Sequence, residues 1–399
     1  MRRALAGTGV LFLTLAPATA TFAADWRITG FVSQRLEASS DGGDDASSGG
    51  LGGGATSDLG VTILAETPTT QWRLSPGLRF SYFTNDDTNA SDLSSLLPRF
   101  DGSVNRRANR RLTLTASAGF TPSRVDSSDL RTFDVEPDAP TPPDIDPVGQ
   151  LRRVDQSALE LNYRASVGAI FEADTRNRLS TTLFARRTDY DNPSEDLVPS
   201  TSYGGTFSWR RGLSEVTGAS ASLNARRFET EDDETTHSVS VTGGFDTRLT
   251  PRHSVSGSIG PAFVLEDRDG EESFSVTADS RLSLGYQTAQ TRYGLDISQG
   301  ASQQRDGGIV NQLTVGASAR HTLNTQSSLD LGAGLQFSQP LSGENDDERS
   351  YFARVSYSRA LSRDWRMQLG YRLVVDDTPD LSADNLVFLQ LSRNFELLR

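Results

Sequence analysis

Apolar and polar residues alternate along most of the chain with the two-residue period of a β-strand. In one such segment, Phe274, Val276 and Ala278 are separated by serine and threonine. Eighteen segments show this alternation: roughly 26–37, 58–67, 71–84, 95–104, 112–121, 156–172, 178–190, 201–210, 216–229, 236–246, 253–266, 273–287, 291–303, 309–322, 328–338, 350–361, 364–376 and 385–395. No helical period interrupts them. The chain is therefore predicted to be all-β.

The connections between these segments alternate in length. Short connections such as 288–290 alternate mostly with longer ones rich in Gly, Asp and Asn, such as 38–57. Within 38–57, the glycine-rich run 49–54 is interpreted as a flexible loop. Successive connections of an antiparallel meander lie at opposite ends. The pattern therefore predicts a closed antiparallel transmembrane β-barrel with short periplasmic turns and long acidic extracellular loops. Sixteen strands remain an alternative if the segments 95–104 and 112–121 are mispaired.

The N-terminus has the features of a secretory signal peptide. Two arginines precede the apolar stretch 4–15, and small residues follow as far as Ala24. We predict that residues 1–24 are a signal peptide cleaved near Ala24, and that residues 25–399 form a single outer-membrane barrel domain.

Composition excludes several other classes of protein. The chain has no cysteine, which rules out disulfide scaffolds, thiol catalysis and cysteine-ligated zinc. After residue 24 no apolar run approaches the ~20 residues that a membrane-spanning helix needs. All 39 basic residues are arginine, yet the formal charge is −13, which disfavours nucleic acid as a partner.

Charged and aromatic residues follow the same division. Acids lie mainly in the long connections, whereas the short connections contain mainly arginine. Aromatic residues gather near segment ends: Trp26, Trp72, Tyr82, Tyr190, Trp209, Phe245, Tyr286, Tyr293, Tyr351 and Trp365. Such rings at both edges of an apolar band are typical of the girdles of membrane barrels, although ordinary strand propensity is the alternative explanation.

The last segment, Asn385 to Phe395, places Val387 and Leu389 on the same face as Phe395. With its strands, signal peptide and C-terminus, the chain resembles bacterial outer-membrane β-barrel porin-like proteins, such as the group called β-barrel porin 2. The resemblance covers residues 25–399 and rests on architecture. It implies insertion in a Gram-negative outer membrane, contact with lipid and lipopolysaccharide, and Phe395 as the signal recognised by the barrel-insertion machinery. Trimers are common among general porins, but no feature of the sequence identifies a subunit interface.

The expected strand number determines what fills the barrel. About eight strands leave an interior filled by side chains, whereas about 16–18 leave an aqueous lumen. The inward set is largely Ser, Thr, Gly, Asp and Arg, which also favours water over a dry core. Phe184, Phe352 and Phe388 fall on the same face, and the pattern gives them no role.

The connection 122–155 is long and contains six prolines. It is the third long loop, and the chain resembles general porins here, whose third loop folds inward and narrows the channel with acids facing wall arginines. The predicted loop acids are Asp134, Glu136, Asp138, Asp144 and Asp146, and the predicted wall arginines are Arg73, Arg79, Arg99, Arg281 and Arg354. A solvated, proline-stiffened external loop is the alternative.

Signals for chemistry are weak. His237 follows the acidic run 231–234 at the predicted outer rim, where a barrel protease would work, but no companion dyad is visible. Three scattered histidines do not make a metal site. We therefore predict no catalysis, no cofactor and no metal.

The predicted function is passive diffusion of small polar solutes through a water-filled lumen. The alternative is a structural or export barrel of a polysaccharide or protein secretion apparatus, plugged or gated. A soluble β-solenoid is disfavoured because the chain lacks repeats of fixed length.

Overall fold

A computed structural model describes residues 25–40, 51–85, 95–125, 158–191, 197–231, 234–268, 271–303, 309–341, 347–377 and 381–398. The predicted signal peptide lies outside these residues. The alternating segments form eighteen strands: β1 (Asp25–Ser40), β2 (Leu51–Glu66), β3 (Thr70–Asn85), β4 (Ser95–Arg107), β5 (Leu112–Val125), β6 (Ala158–Glu172), β7 (Asn177–Tyr190), β8 (Ser200–Gly212), β9 (Thr217–Thr230), β10 (Thr235–Thr250), β11 (His253–Arg268), β12 (Glu271–Gln287), β13 (Thr291–Gln303), β14 (Ile309–Asn324), β15 (Ser327–Pro340), β16 (Glu348–Ala360), β17 (Trp365–Asp377) and β18 (Leu381–Leu398).

The strands form one closed barrel. Each strand is antiparallel to its neighbours in the chain, and β1 pairs with β18 as well as with β2. The β1–β18 register extends from Ile28 opposite Leu398 to Ser40 opposite Asn385. The prediction of a closed antiparallel barrel of eighteen strands is confirmed. Because β4 and β5 are adjacent paired strands, the sixteen-strand alternative is excluded.

Several strands extend into the predicted connections, as β5 does over residues 122–125, and three further details differ from the sequence predictions. The run Gly52–Gly54 is part of β2 rather than flexible loop, because its backbone pairs with both β1 and β3. Strand β18 continues past Phe395 to Leu398, opposite the first residues of β1. Tyr190 lies on the inner face and is nearly buried, so it is not a girdle residue.

The two ends of the barrel differ as predicted. At one end, called here the turn end, connections of two to four residues join the strands, as at 213–216 and 325–326. At the other, called the loop end, the connections are mostly longer. In the turn between β6 and β7, Asn177 Nδ2 (2.8 Å) and the backbone N–H groups of Arg176 and Asn177 donate to Asp174 and hold the pKa of its carboxyl below the usual value. These contacts stabilise the turn fully at a pH above the usual pKa of aspartate. The stabilisation is lost as the pH falls through the lowered pKa of Asp174.

The outer face of the barrel is apolar and the inner face is polar. Ile259 is 69% exposed and Leu183 is 56% exposed, whereas a soluble protein would bury such side chains. Their neighbours along the strands, such as Ser258 and Thr182, face inward. An apolar outer band that is exposed in this way matches the hydrocarbon of a bilayer. Among the described residues, no helix is long and apolar enough to cross a membrane.

The outward direction of Leu183, at the middle of β7, generates a stability prediction. Leu183→Arg should lower the free energy of unfolding in lipid vesicles by about 2–4 kcal/mol, because a guanidinium would enter the hydrocarbon. Urea titration followed by tryptophan fluorescence measures this change. Thr182→Arg is the matched control, and it should change stability much less because it faces the lumen. Equal losses at both positions would contradict the assigned faces.

Candidate functional site: the lumen wall

The inner face is hydrogen-bonded across the strands by its own side chains. Directly opposed hydroxyl groups lie within hydrogen-bonding distance: Thr62 and Ser75 at 3.1 Å, Ser117 and Ser166 at 2.7 Å, Ser180 and Ser208 at 2.5 Å, and Ser222 and Thr242 at 2.6 Å. These short side chains leave the middle of an eighteen-stranded barrel unfilled by the wall itself. The wall is therefore hydrophilic.

Two of the predicted wall arginines meet at one carboxylate. Arg79 on β3 donates to Asp58 on β2 through Nε, 2.9 Å from Oδ1, and through Nη2, 3.4 Å from Oδ2. Arg99 on β4 reaches the same Oδ1 with its Nη1 at 3.3 Å. All three side chains are partly buried on the inner face. Two guanidinium groups share one carboxylate, so this cluster has a surplus of positive charge.

The other predicted wall arginines also face inward but stand apart. Arg281 on β12 lies opposite Ser258 and Ser298, and within the described part of the chain it forms no ion pair. Arg73 on β3 is likewise unpaired among those residues. Arg354 on β16 lies near the charges of Asp330 and Arg320. The structure therefore does not gather the five arginines into one cluster.

The carboxylates that pair with lumen arginines come from the wall. Besides Asp58, Asp101 on β4 pairs with Arg164 on β6, and Asp246 on β10 pairs with Arg210 on β8 at 2.6 Å between Oδ2 and Nη2. Sequence reasoning did not identify these pairs. Each joins strands two places apart, so only the relative register of three strands reveals it. The predicted loop acids Asp134, Glu136, Asp138, Asp144 and Asp146 lie outside the described residues.

The structure explains the inward phenyl rings. Each ring lies against a glycine directly opposite on the next strand, where a Cβ atom would approach the ring to less than 3 Å. The pairs are Phe184 with Gly204, Phe352 with Gly334, and Phe388 with Gly370. Arg226 lies over the ring of Phe184 at 5.2 Å, and Arg35 lies over that of Phe388 at 4.3 Å. The rings therefore pack on the backbone of the opposite glycines, and two of them form cation–π contacts with arginine.

Burial of the inner face differs between the two ends. At the loop end, Val264 is 1% exposed, Gln312 is 4% exposed and Gln336 is 6% exposed, although all three face inward. Toward the turn end, inward Ser318 and Arg366 are exposed. A side chain that lined an open aqueous channel would remain partly exposed. Part of the inner wall at the loop end is therefore buried, although inward Ser273 there stays exposed, and the wall toward the turn end is open.

A loop-end connection contributes apolar side chains. Between β7 and β8, Leu197 is fully buried and Val198 nearly so. The segment is held beside the next loop-end connection, since the backbone N–H of Glu231 donates to the Pro199 carbonyl at 3.2 Å. This part of the connection packs against protein rather than extending into water.

Phe395 lies at the seam where β1 meets β18. It faces outward, opposite Gly30, and its Cε2 lies 2.3 Å from where a Cβ on Gly30 would be. Arg393 lies over the rings of both Trp365 and Phe395, at 5.5 and 5.9 Å. The ring of Phe395 thus packs on the strand that closes the barrel.

The residues considered for chemistry are not drawn together. His237 on β10 is exposed and faces away from the lumen. Among the described residues, no group of three or more His, Asp or Glu side chains is placed to hold a metal ion.

Several solved structures share this fold. The outer membrane protein OpdK from Pseudomonas aeruginosa matches with a TM-score of 0.51 at 10% identity, covering 92% of this chain and 98% of that chain. OccK7 (OpdD) from the same organism matches at 0.52 and 10% identity, covering 94% and 100%. OccAB1 from Acinetobacter baumannii matches at 0.50 and 11% identity, covering 93% and 97%. No protein-family model and no curated protein matches the sequence.

These similarities extend over nearly the whole of each chain. At such low identity they show a shared fold, and the architecture is that of a bacterial outer-membrane porin-like barrel.

The close contact at Gly30 generates a prediction about barrel closure. Gly30→Val should lower stability by about 1–3 kcal/mol, because the added methyl groups would displace the Phe395 ring from the seam. The measurement is the temperature at which the folded electrophoretic band converts to the unfolded one. Gly243→Val is the matched control, since a Cβ at this outward glycine meets no described atom within 4 Å. A Gly30 variant as stable as the control would contradict the role of this contact.

Proposed function

We propose that the protein is an outer-membrane channel through which small polar solutes diffuse passively. The observation that supports this proposal most strongly is the inner face of the closed eighteen-stranded barrel, much of which bears hydroxyl groups and wall-bound ion pairs. A barrel of this strand number is wide enough to hold water. OpdK, one of the solved structures that share the fold, is an outer membrane protein, and the two chains match over nearly their whole lengths.

The wall charges favour anions. Several inward arginines outnumber their carboxylate partners, as where Arg79 and Arg99 share Asp58. Arg281 and Arg73 add charge that is unpaired among the described residues. Charge on a pore wall sets ion preference through its local potential. The channel is therefore expected to pass small anions more readily than cations.

The connection between β5 and β6, predicted as 122–155, narrows the lumen in this proposal, although residues 122–125 belong to β5. Strand β5 continues to Val125, opposite Ala158 of β6, so the connection begins and ends at the loop end of the barrel. The burial of inward Val264, Gln312 and Gln336 at that end supports a cover inside the rim. The predicted acids of this loop would then face the wall arginines across the narrowest part of the channel.

The outer surface determines the remaining partners. The apolar band contacts membrane lipid, and the loop end faces the lipopolysaccharide leaflet. Phe395 lies on the last strand and faces outward at the seam between β18 and β1. In this proposal the insertion machinery recognises it there. Residues 1–24 would direct export to the periplasm.

One observation also favours the second candidate function, an export or structural barrel that is plugged or gated. The same buried inner wall at the loop end would accompany a plug. Conductance separates the two functions, because a plugged barrel carries little current by itself.

Single-channel recording of residues 25–399 in a planar bilayer tests the leading proposal. We expect stable conductance steps and, in a potassium chloride gradient, a reversal potential with the sign of chloride preference. A folded barrel that gives no steps would instead support the plugged export barrel.

Replacing residues 127–156 by a short Asn-Gly turn should raise the conductance by about twofold or more, because the narrowest cross-section limits flow. The strand ends remain paired across the shortened connection, so the barrel should fold. The matched control replaces residues 41–50, whose flanking residues Ser40 and Leu51 are also paired. Unchanged conductance in the first variant would show that this loop does not limit flow.

Single-charge variants test ion preference. Asp58→Asn should increase chloride preference, because Arg79 and Arg99 would lose their shared carboxylate, and Arg79→Gln should decrease it. Arg187→Gln is the control: it removes an arginine that faces outward and pairs with Asp189. Reversal potentials that move equally for Arg79→Gln and Arg187→Gln would contradict the assignment of Arg79 to the conducting surface.

A further inference from the structure

We infer that particular inward glycines are positioning residues that hold the lumen arginines flat against the wall, and thereby keep the channel wide. The inference rests on the proposed channel function for its consequence. It concerns Gly77, Gly119, Gly218 and Gly332, each of which lies beneath a charged side chain from a neighbouring strand.

The first of these units lies on β2, β3 and β4. Gly77 is directly opposite Arg99, and a Cβ built on Gly77 would lie 2.9 Å from both the Nε of Arg99 and the backbone carbonyl oxygen of Leu59. The arginine side chain crosses over the glycine to reach Asp58 with Nη1 at 3.3 Å and lies over the ring of Phe31 at 4.8 Å. The guanidinium is thus held parallel to the wall by contacts two and three strands away.

The second unit is a straight row across β4, β5 and β6. Asp101 is opposite Gly119, and Gly119 is opposite Arg164. The ion pair between Asp101 and Arg164 passes directly over the glycine, where a Cβ would lie 2.7 Å from both Arg164 Nε and Asp101 Oδ1. No side chain larger than hydrogen fits beneath this pair.

Two further glycines have the same surroundings. Gly218 is covered by the pair of Arg210 and Asp246, with a Cβ position 2.7 Å from Asp246 Oδ1 and 3.2 Å from Arg210 Nε. Gly332 is covered by Arg354, whose Nε would lie 2.7 Å from the added atom. The arrangement therefore recurs in separate parts of the barrel.

Not every inward glycine is used in this way. A Cβ built on Gly316 or Gly300 meets no described atom within 4 Å. Other inward glycines are covered by uncharged groups instead, as Gly370 is by the ring of Phe388 and Gly285 by the hydroxyl group of Ser254. The four glycines of this inference are those over which an arginine or aspartate side chain lies.

The physical consequence of a methyl group follows from these distances. Carbon atoms in ordinary contact are about 3.5–4.0 Å apart, so alanine at Gly77 or Gly119 would overlap the arginine side chain. The flexible arginine would lift from the wall, lose its carboxylate and project into the lumen. The free passage would narrow, and the charge at its surface would become more positive.

Gly77→Ala and Gly119→Ala test the inference, with Gly316→Ala as the matched control. Phenylglyoxal labelling followed by peptide mass spectrometry reports the exposure of each guanidinium and does not require ion conduction. Labelling of Arg99 and Arg164 should rise about two- to fivefold, because a guanidinium that loses its ion pair spends more time away from the wall, where the reagent reaches it. Conductance should fall and chloride preference should rise in the same variants, with no change in Gly316→Ala.

A double-mutant cycle separates positioning from a general backbone effect. Gly332→Ala should lower conductance in the natural chain and leave it unchanged in an Arg354→Ala background, because the three atoms nearest the added methyl group all belong to Arg354. If Gly119→Ala does not fold, the same substitution combined with Asp101→Ala and Arg164→Ala should fold, which would identify the ion pair as the source of the overlap.

The outcomes distinguish this inference from the proposed function. Unchanged labelling of Arg99 and Arg164 in folded alanine variants would overturn the positioning role. Increased labelling in a protein that never conducts would support the positioning role and reject the channel.

Discussion

Hydrogen bonding between β1 and β18 is the constraint on which the rest of the structure depends. In hydrocarbon, each unpaired backbone N–H or C=O costs several kcal/mol, so a sheet with free edges cannot cross a membrane. Closure removes both edges, and the two chain ends provide it. Closure also assigns the alternate residues of each strand to two environments. One face must match lipid and the other surrounds an enclosed space whose width follows from eighteen strands.

The inner face solves a second problem, which is how to hold charge without filling the lumen. Arginine is long, and an extended guanidinium would obstruct the passage. Here several arginines lie along the wall, paired with carboxylates one or two strands away, as in the row formed by Asp101, Gly119 and Arg164. Phenyl rings lie on glycines in the same way. Small residues thus provide the space in which large polar and aromatic side chains lie flat.

The fold could be predicted from the sequence because strand alternation and connection length are local properties. They gave the strand number, both faces and the difference between the two ends. The local pattern was insufficient at Gly52–Gly54, which has the composition of a flexible loop. These glycines form part of a strand because their backbone pairs with both neighbouring strands. The site was harder to predict. Arg79 and Arg99 were identified as inward, yet their partner Asp58 was not, because their meeting depends on the register of three strands.

The account depends on one face of each strand contacting water and the other contacting lipid. The natural chain has no cysteine, so single cysteines can be introduced one at a time along β12. Their reaction with a charged, water-soluble maleimide would be measured in vesicles. Positions 277, 279 and 281 should react, and positions 276, 278 and 282 should not. Absence of this alternation, or an inner face as unreactive as the outer one, would contradict a water-filled barrel.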